Sequence, residues 1–295
     1  MLLYRQFGTQ AELDAQYDVE QSVPDFTVYA RHYVDESKLA RHRMRCRLDL
    51  RYGPTLDEHV DVFPGAPRGP VLLFIHGGYW RMLSAKEFSF VASGPVAAGA
   101  TVVVVNYALC PKVTIDEIVR QARSAVAWTW RHARDWGADP ERIYLSGHSA
   151  GGQLTAMCMA TDWAGDYGLP ADLVKGGLSV SGVFDLRPIR FTLMQPMLQL
   201  DDGAVLRNSP QLHEPPRGGA PMLFSVGGAE PAEFQRQTHD YLQAWRLAGN
   251  PAEFVPQPQA NHFDAIFGFA EPASPLCRAL LRLMRLDGPR AARRA

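Results

Sequence analysis

Residues 142–157 read RIYLSGHSAGGQLTAM, in which an apolar run, a glycine-rich turn and a helical pattern follow one another directly. Positions 147–151 form a G-x-S-x-G sequence, whose small residues two positions before and after the serine permit a sharp strand-to-helix turn. Such a turn pushes the central side chain away from the backbone and into the open. We therefore interpret the segment as a nucleophile elbow with Ser149 as the candidate nucleophile.

Short apolar runs on both sides of the elbow predict further strands of the same sheet. They are apolar at successive positions, as expected of parallel strands covered on both faces. These runs occupy residues 71–75, 101–105, 142–145, 177–180 and 222–226. Two alternating segments, 45–52 and 58–63, flank Gly53-Pro54 and predict an antiparallel hairpin. The intervening helical patterns predict an α/β fold with a doubly wound, mostly parallel sheet and helices on both faces.

The clearest helical pattern covers residues 114–136, where Thr114 and Glu117 predict a capping box. The whole chain, 1–295, is predicted to be a single domain, because 295 residues with 46% hydrophobic content can bury one large core. Residues 1–44 form a helical segment that covers the active-site mouth or pads the sheet. Residues 185–220, rich in proline and turn signals, are interpreted as a small cap, and the tail 288–295 is expected to be disordered.

Charge and cysteine content exclude several classes of protein. Binding to nucleic acid or to an anionic membrane requires an excess of basic residues on one face, which a net charge of −1 does not indicate. The four cysteines lie far apart, which suits neither a disulfide framework nor a zinc site. The apolar run at residues 1–3 is too short for a signal peptide and no apolar segment is long enough to cross a bilayer, so we expect neither. We expect a cytoplasmic enzyme with a small-molecule substrate, no cofactor and no metal, and the sequence leaves open whether it forms a homodimer.

A serine nucleophile requires a histidine base and a carboxylate that orients it. After an elbow of this kind the acid precedes the histidine in the chain, which leaves three candidate bases. His213 lies in a proline-rich loop and His239 lies inside a helical pattern, so both are expected at the surface. His262 follows a short strand-like run and precedes the last helical pattern. This position favours His262 as the base.

The sequence leaves two candidates for the acid. Glu230 follows the predicted strand 222–226 by four residues, and Asp185 follows the strand before it. Glu230 also suits a structural position, since an acid beside Pro231 is favoured at a helix N-terminus. Asp264 lies too near His262 in the chain, and residues 201–202 would have to reach in from the cap. We favour Glu230 and retain Asp185 as the alternative.

A second glycine-rich segment, HGGYW at residues 76–80, follows the first central strand. Its glycines allow the N–H groups of Gly77 and Gly78 to approach a developing oxyanion, with the Ala150 N–H as the third donor. His76 is expected to support this loop rather than to transfer a proton. The segment therefore predicts an oxyanion hole.

Together, HGGYW and the GHSAGG sequence at residues 147–152 resemble the α/β-hydrolase superfamily, in its arylformamidase (kynurenine formamidase) branch, which is close to the H-G-G-G esterases. The resemblance implies an α/β-hydrolase fold with an eight-stranded sheet, and it places Ser149, Glu230 and His262 on the triad positions. The branch usually has an aspartate where this chain has Glu230, and Tyr79 replaces a further glycine. Other matching positions are Tyr17, Tyr52-Gly53, Asn106-Tyr107, Pro111, residues 208–210, Glu233-Phe234, Arg236-Gln237 and residues 261–263.

The resemblance implies a serine hydrolase that works through an acyl-enzyme intermediate. Its expected substrate is an aryl formamide such as N-formylkynurenine, of tryptophan catabolism; the alternatives are a short-chain carboxylesterase and a non-catalytic small-molecule-binding protein. The leaving group of an aryl formamide is large and aromatic, so Tyr79, Trp80 and Phe191 are candidates to line the substrate pocket. Each is equally suited to core packing. Arg81 and Arg190 are candidates for holding a substrate carboxylate.

Overall fold

The computed structural model describes residues 2–287, which form eight strands in one sheet. The strands are β1 (Arg47–Arg51), β2 (His59–Phe63), β3 (Val71–Ile75), β4 (Thr101–Val105), β5 (Ile143–His148), β6 (Val174–Val180), β7 (Met222–Gly227) and β8 (Ala252–Gln257). Their order across the sheet is β1-β2-β4-β3-β5-β6-β7-β8. The pairs β1–β2 and β2–β4 are antiparallel, and the other neighbouring pairs are parallel. The predicted hairpin and mostly parallel eight-stranded sheet are confirmed.

Helices cover both faces of this sheet, as the side chains of β3 show. Val71, Leu73 and Ile75 pack in one core with buried residues of the helices at 115–132, 150–159 and 232–247. Leu72 and Phe74 pack in the opposite core, with residues of the last helix. Side chains alternate along a strand, so a strand that is apolar at every position is stable only when both faces are covered.

Ten α-helices lie among the described residues. They are α1 (Gln10–Tyr17), α2 (Phe26–Arg43), α3 (Ser93–Ala98), α4 (Ile115–His132), α5 (Ala150–Met159), α6 (Trp163–Tyr167), α7 (Gln195–Leu198), α8 (Asp202–Asn208), α9 (Ala232–Leu247) and α10 (Pro275–Leu283). None of these helices has both the length and the apolar character that crossing a bilayer requires. The tail 288–295, for which disorder is expected, lies outside the described residues.

The predicted helix over 114–136 is shorter than expected, and its capping box is incomplete. α4 ends at His132 and continues as a 3₁₀ turn to Trp136. The Thr114 hydroxyl accepts a hydrogen bond from the Glu117 N–H at 3.3 Å. The Glu117 carboxylate instead accepts from Arg120 at 2.7 and 2.8 Å. A charged donor makes the stronger hydrogen bond, so the reciprocal half of the capping box does not form.

The segment before β1 is fixed to the sheet by side chains rather than by strand pairing. The Tyr4 hydroxyl donates to Asp185 Oδ2 at 2.7 Å, and the Tyr17 hydroxyl donates to Glu233 Oε2 at 3.0 Å. Both acceptors follow strands of the parallel part of the sheet, at the end where those strands finish. This segment therefore lies over the edge of the sheet that carries the functional loops.

Candidate active site

Ser149 occupies the turn between β5 and α5 in a strained conformation. Its backbone has φ 57° and ψ −120°, a region that residues other than glycine rarely adopt. The neighbouring glycines are required because backbone passes close by: a Cβ atom on Gly151 would lie 2.0 Å from the Ile75 carbonyl oxygen, and one on Gly147 would lie 2.1 Å from the Gly151 oxygen. The strain and the crowding together give the geometry of a nucleophile elbow.

Ser149 faces a cavity of about 240 Å³ that His262 also lines. Most of its other lining residues come from the segment before β1, the connection between β3 and β4 and the two residues before α7; His148 and Phe263 lie next to Ser149 and His262 in the chain. The lining residues are Asp18, Val19, Glu20, Phe26, Ala30, Tyr33, Val34, Gly78, Tyr79, Arg81, Met82, Leu83, Glu87, Phe88, His148, Leu193, Met194 and Phe263.

Glu230 and His262 form a buried pair beside this cavity. His262 Nδ1 lies 2.7 Å from Glu230 Oε2. The second oxygen, Glu230 Oε1, accepts from the Ser181 hydroxyl at 2.5 Å and from the Gly227 N–H at 2.6 Å. The carboxylate is therefore bound through both oxygens, which fixes its orientation toward the imidazole.

Asp185, the alternative acid, has other partners. Its carboxylate accepts from the Tyr4 hydroxyl at 2.7 Å and from the Arg187 guanidinium at 2.7 Å. Burial raises the pKa of Asp185, but the hydrogen bonds from Arg187 and Tyr4 outweigh it and leave the pKa below its usual value. Asp264 accepts from the Asn261 N–H at 2.7 Å. The structure thus brings Glu230, and not Asp185, to His262.

His148 and Phe234 hold the imidazole of His262 in place. The ring centroids of His148 and Phe234 lie 4.7 and 4.6 Å from that of His262, and His148 Nε2 lies 2.8 Å from the His262 carbonyl oxygen. Within residues 2–287 the Ser149 hydroxyl makes no hydrogen bond, so serine and histidine share the cavity without a direct bond. Such bonds are often long in the absence of substrate.

The predicted oxyanion donors lie in the HGGYW loop and at the start of α5. Among the residues that the structure describes, the N–H groups of Gly77, Gly78 and Ala150 donate to no protein acceptor. Gly78 has φ 105°, and a Cβ atom there would lie 2.3 Å from the Met82 carbonyl oxygen. A Cβ atom on Gly77 would lie 3.1 Å from Ser149 Cβ, so the loop passes directly beside the serine.

His76 lies beneath this loop, fully buried. Its ring stacks on Tyr107 with centroids 4.1 Å apart, and its Nδ1 lies 2.7 Å from the Gly77 carbonyl oxygen. Burial lowers the pKa of His76 to about 4. Burial also lowers the pKa of His148 well below its usual value, with the neighbouring His262 as the second cause. Both side chains are therefore neutral at neutral pH and serve as packing and hydrogen-bonding groups.

These two histidines predict that the protein loses stability in mild acid. The folded pKa of each is below the unfolded value of 6.5, so below that pH the unfolded chain binds more protons and stability falls. From pH 7.5 to 5.0 we expect a loss of about 2 kcal/mol from His76 and a further loss in the same direction from His148. Urea unfolding at both pH values measures it, with His213→Gln, at an exposed position, as the control. An unchanged free energy of unfolding would contradict the prediction.

Of the three suggested wall residues, the structure places Tyr79 at the cavity and the other two elsewhere. Tyr79 lines the cavity, and its hydroxyl donates to the Tyr17 carbonyl at 2.5 Å. Trp80 points the opposite way, into the core, where its Nε1 donates to Gln153 Oε1 at 3.1 Å. Phe191 packs under the Arg190 guanidinium, 5.9 Å from its ring centroid, and does not reach the cavity. The prediction for Trp80 and Phe191 was therefore wrong.

Of the two arginines considered for a substrate carboxylate, only Arg81 lines the cavity. Arg190 forms an ion pair with Asp202 instead. Sequence reasoning missed Ser181, which binds Glu230, and the wall residues Asp18 and Glu20. The position of Ser181 directly after β6, next to the elbow strand, was the signal that could have identified it.

Comparison with known proteins identifies the family. Residues 72–212 match the family described as the α/β hydrolase fold. A kynurenine formamidase from Danio rerio is 31% identical over 287 residues, which cover 92% of this chain and 96% of that protein. The chain belongs to the α/β-hydrolase family. The resemblance drawn from the two glycine-rich segments is thereby confirmed.

Solved structures of other α/β hydrolases extend the comparison. A Silicibacter sp. TM1040 protein, provisionally described as a thioesterase, is 30% identical with a TM-score of 0.80, covering 90% of this chain and 98% of that one. The carboxylesterase EstE1, from a metagenomic library, is 20% identical with a TM-score of 0.66, covering 88% of this chain and 96% of that one. The second likeness concerns the fold alone. This α/β hydrolase is thus an enzyme of the hydrolase class.

Proposed function

We propose that this α/β hydrolase cleaves aryl formamides of the N-formylkynurenine class, with Ser149 as nucleophile, His262 as base and Glu230 as the acid that orients it. The observation that carries the proposal is the buried contact of 2.7 Å between His262 Nδ1 and Glu230 Oε2, beside the cavity that Ser149 faces. The 31% identity to the kynurenine formamidase of Danio rerio supports the choice of substrate class.

The contact with Glu230 fixes the direction of proton transfer. A carboxylate accepts the Nδ1 proton of His262, so Nε2 keeps its lone pair and takes the Ser149 proton. The serine oxygen attacks the formyl carbon, and the N–H groups of Gly77, Gly78 and Ala150 donate to the developing oxyanion. His262 then gives its proton to the aryl nitrogen as the C–N bond breaks. Water attacks the formyl-enzyme by the reverse steps and releases formate.

The cavity suits a substrate whose acyl part is small. Its volume of about 240 Å³ is below the usual range for drug-sized ligands. A formyl group needs no acyl pocket of its own, so the space is available to the aromatic leaving group. Phe26, Tyr33, Phe88 and Phe263 line the cavity with aromatic side chains, against which an aryl ring can stack or pack edge-to-face.

The ratio of kcat/KM for N-formyl-L-kynurenine to kcat/KM for phenyl acetate tests the proposal. We expect the formamide to be preferred by at least about tenfold, which corresponds to ~1.4 kcal/mol of transition-state binding. Preference for the ester would identify a short-chain carboxylesterase. Absence of turnover for both substrates would contradict the proposed substrate class.

A further inference from the structure

Arg81 is a cation on the wall of the cavity that contains Ser149. Its backbone N–H donates to the Gly78 carbonyl at 3.0 Å, so the residue lies in the turn that closes the HGGYW loop. Its Nε donates to Met194 Sδ at 3.3 Å, and a thioether is a weak acceptor. Among residues 2–287 no carboxylate lies within 4.0 Å of its guanidinium. Its remaining donors are available to an anion in the cavity.

Two carboxylates, Asp18 and Glu20, line the same cavity. Asp18 directly follows Tyr17, whose carbonyl accepts the hydrogen bond from the Tyr79 hydroxyl. This bond holds Asp18 against the loop that carries Arg81. Asp18 accepts from Gln21 Nε2 at 2.7 Å, and within the described part of the chain neither carboxylate is paired with a basic side chain.

The pKa of Tyr79 responds to both Asp18 and Arg81, which indicates that these opposite charges lie near the same side chain. Burial is the main cause that raises the pKa of Tyr79 well above its usual value; Asp18 raises it further and Arg81 lowers it. Both charges therefore act on the same ring. The remaining acid of the cavity, Glu87, already accepts two hydrogen bonds from Ser84 at 2.8 Å.

A cation and two anions that face one cavity without pairing are complementary to a ligand that carries both charges. Half-buried charges without partners cost free energy, which a ligand of opposite charges recovers. A ligand carboxylate matches the planar fork of Arg81. A ligand ammonium group matches the carboxylates of Asp18 and Glu20.

We propose that Arg81, Asp18 and Glu20 form a subsite for the zwitterionic head group of an α-amino acid. This inference rests on the proposed function, since N-formylkynurenine carries such a head group on the side chain next to its formamide. The subsite distinguishes amino-acid substrates from simple aryl formamides and esters. Ser149 and His262 act on the formyl group, while Arg81 selects the molecule that brings it.

The first test compares two substrates that differ only in the head group, N-formyl-L-kynurenine and 2′-formamidoacetophenone. In Arg81→Met we expect the KM ratio of the two to shift against N-formyl-L-kynurenine by about 10- to 100-fold, the effect of losing a charge-assisted bidentate contact. Arg81→Lys should recover part of this preference. Arg31→Met, which alters an exposed arginine of α2, should leave the ratio unchanged. An unchanged ratio in Arg81→Met would overturn the subsite.

The carboxylates are tested with the analogue of N-formyl-L-kynurenine that lacks the α-amino group. In the double variant Asp18→Asn, Glu20→Gln we expect KM for N-formyl-L-kynurenine to rise by about tenfold relative to KM for this analogue. Equal changes for both compounds would contradict recognition of the ammonium group.

A second measurement separates failure of the subsite from failure of the proposed function. L-Kynurenine and 2-aminoacetophenone share the aromatic ketone, and only the former has the head group. We expect L-kynurenine to inhibit p-nitrophenyl acetate hydrolysis by the unaltered enzyme at least about tenfold more strongly, with the difference reduced in Arg81→Met. This result would support the subsite even if N-formyl-L-kynurenine were not cleaved. Equal inhibition by both compounds would overturn the subsite whatever the formamidase activity.

Discussion

Replacement of Ser149 by alanine is expected to lower kcat for formamide and ester substrates by about 10⁵-fold or more, to the level that binding and the oxyanion donors alone can sustain. The variant should fold normally. The Ser149 hydroxyl makes no hydrogen bond within residues 2–287, and alanine meets the same strain as serine at φ 57°.

Hydrolysis of p-nitrophenyl acetate measures this loss, and thermal unfolding checks the fold. Ser124→Ala is a suitable control, because Ser124 lies on α4 away from the cavity and contacts Arg120. Turnover by Ser149→Ala equal to that of the unaltered enzyme would reject Ser149 as the nucleophile.

Glu230→Gln is expected to have the second largest effect, a fall in kcat of about 10³- to 10⁴-fold. The amide keeps the shape of the side chain, but it no longer stabilises the imidazolium that forms when His262 accepts a proton. It also permits the wrong tautomer of the imidazole. The bonds from Ser181 and Gly227 can still be accepted by the amide oxygen, so the fold should be retained.

Asp185→Asn is the matched comparison for Glu230→Gln. Asp185 binds Tyr4 and Arg187, so we expect this variant to lower the midpoint of thermal unfolding and to change kcat by less than about tenfold. Measurement of kcat and thermal unfolding for both variants separates the two roles. A large loss of kcat in Asp185→Asn alone would show that Asp185 is the acid.

The sheet was predictable because its signals are local. Residues 71–75 and 101–105 are apolar at every position, and β3 and β4 occupy those same residues. The elbow was equally predictable, because Gly147 and Gly151 are needed where backbone passes within van der Waals distance. In both cases the types of a few adjacent residues are enough to indicate the local backbone structure.

The contacts of the site depended on long-range information that the sequence does not display. Glu230 and Asp185 both follow strands at one edge of the sheet, and the hydrogen bond from Tyr4, 181 positions away in the chain, is part of what separates their environments. Trp80 lies in the core because its Nε1 donates to Gln153, 73 positions away in the chain, a contact that the local sequence does not display. Asp18 and Glu20 lie in the connection between α1 and α2, at and within a single 3₁₀ turn, which is too short for a periodic pattern to mark them.

The segment before β1 is attached to the rest of the fold through side chains, so its sequence can change during evolution without altering the pairing of the strands. Seven residues of this segment line the cavity: Asp18, Val19, Glu20, Phe26, Ala30, Tyr33 and Val34. Ser149, Glu230 and His262 all follow strands of the sheet. Substitutions upstream of residue 44 can therefore alter this part of the wall, while Arg81 and the residues of the proposed triad stay unchanged. Part of the cavity wall and the proposed triad are thus encoded in separate stretches of the chain, on which selection can act independently.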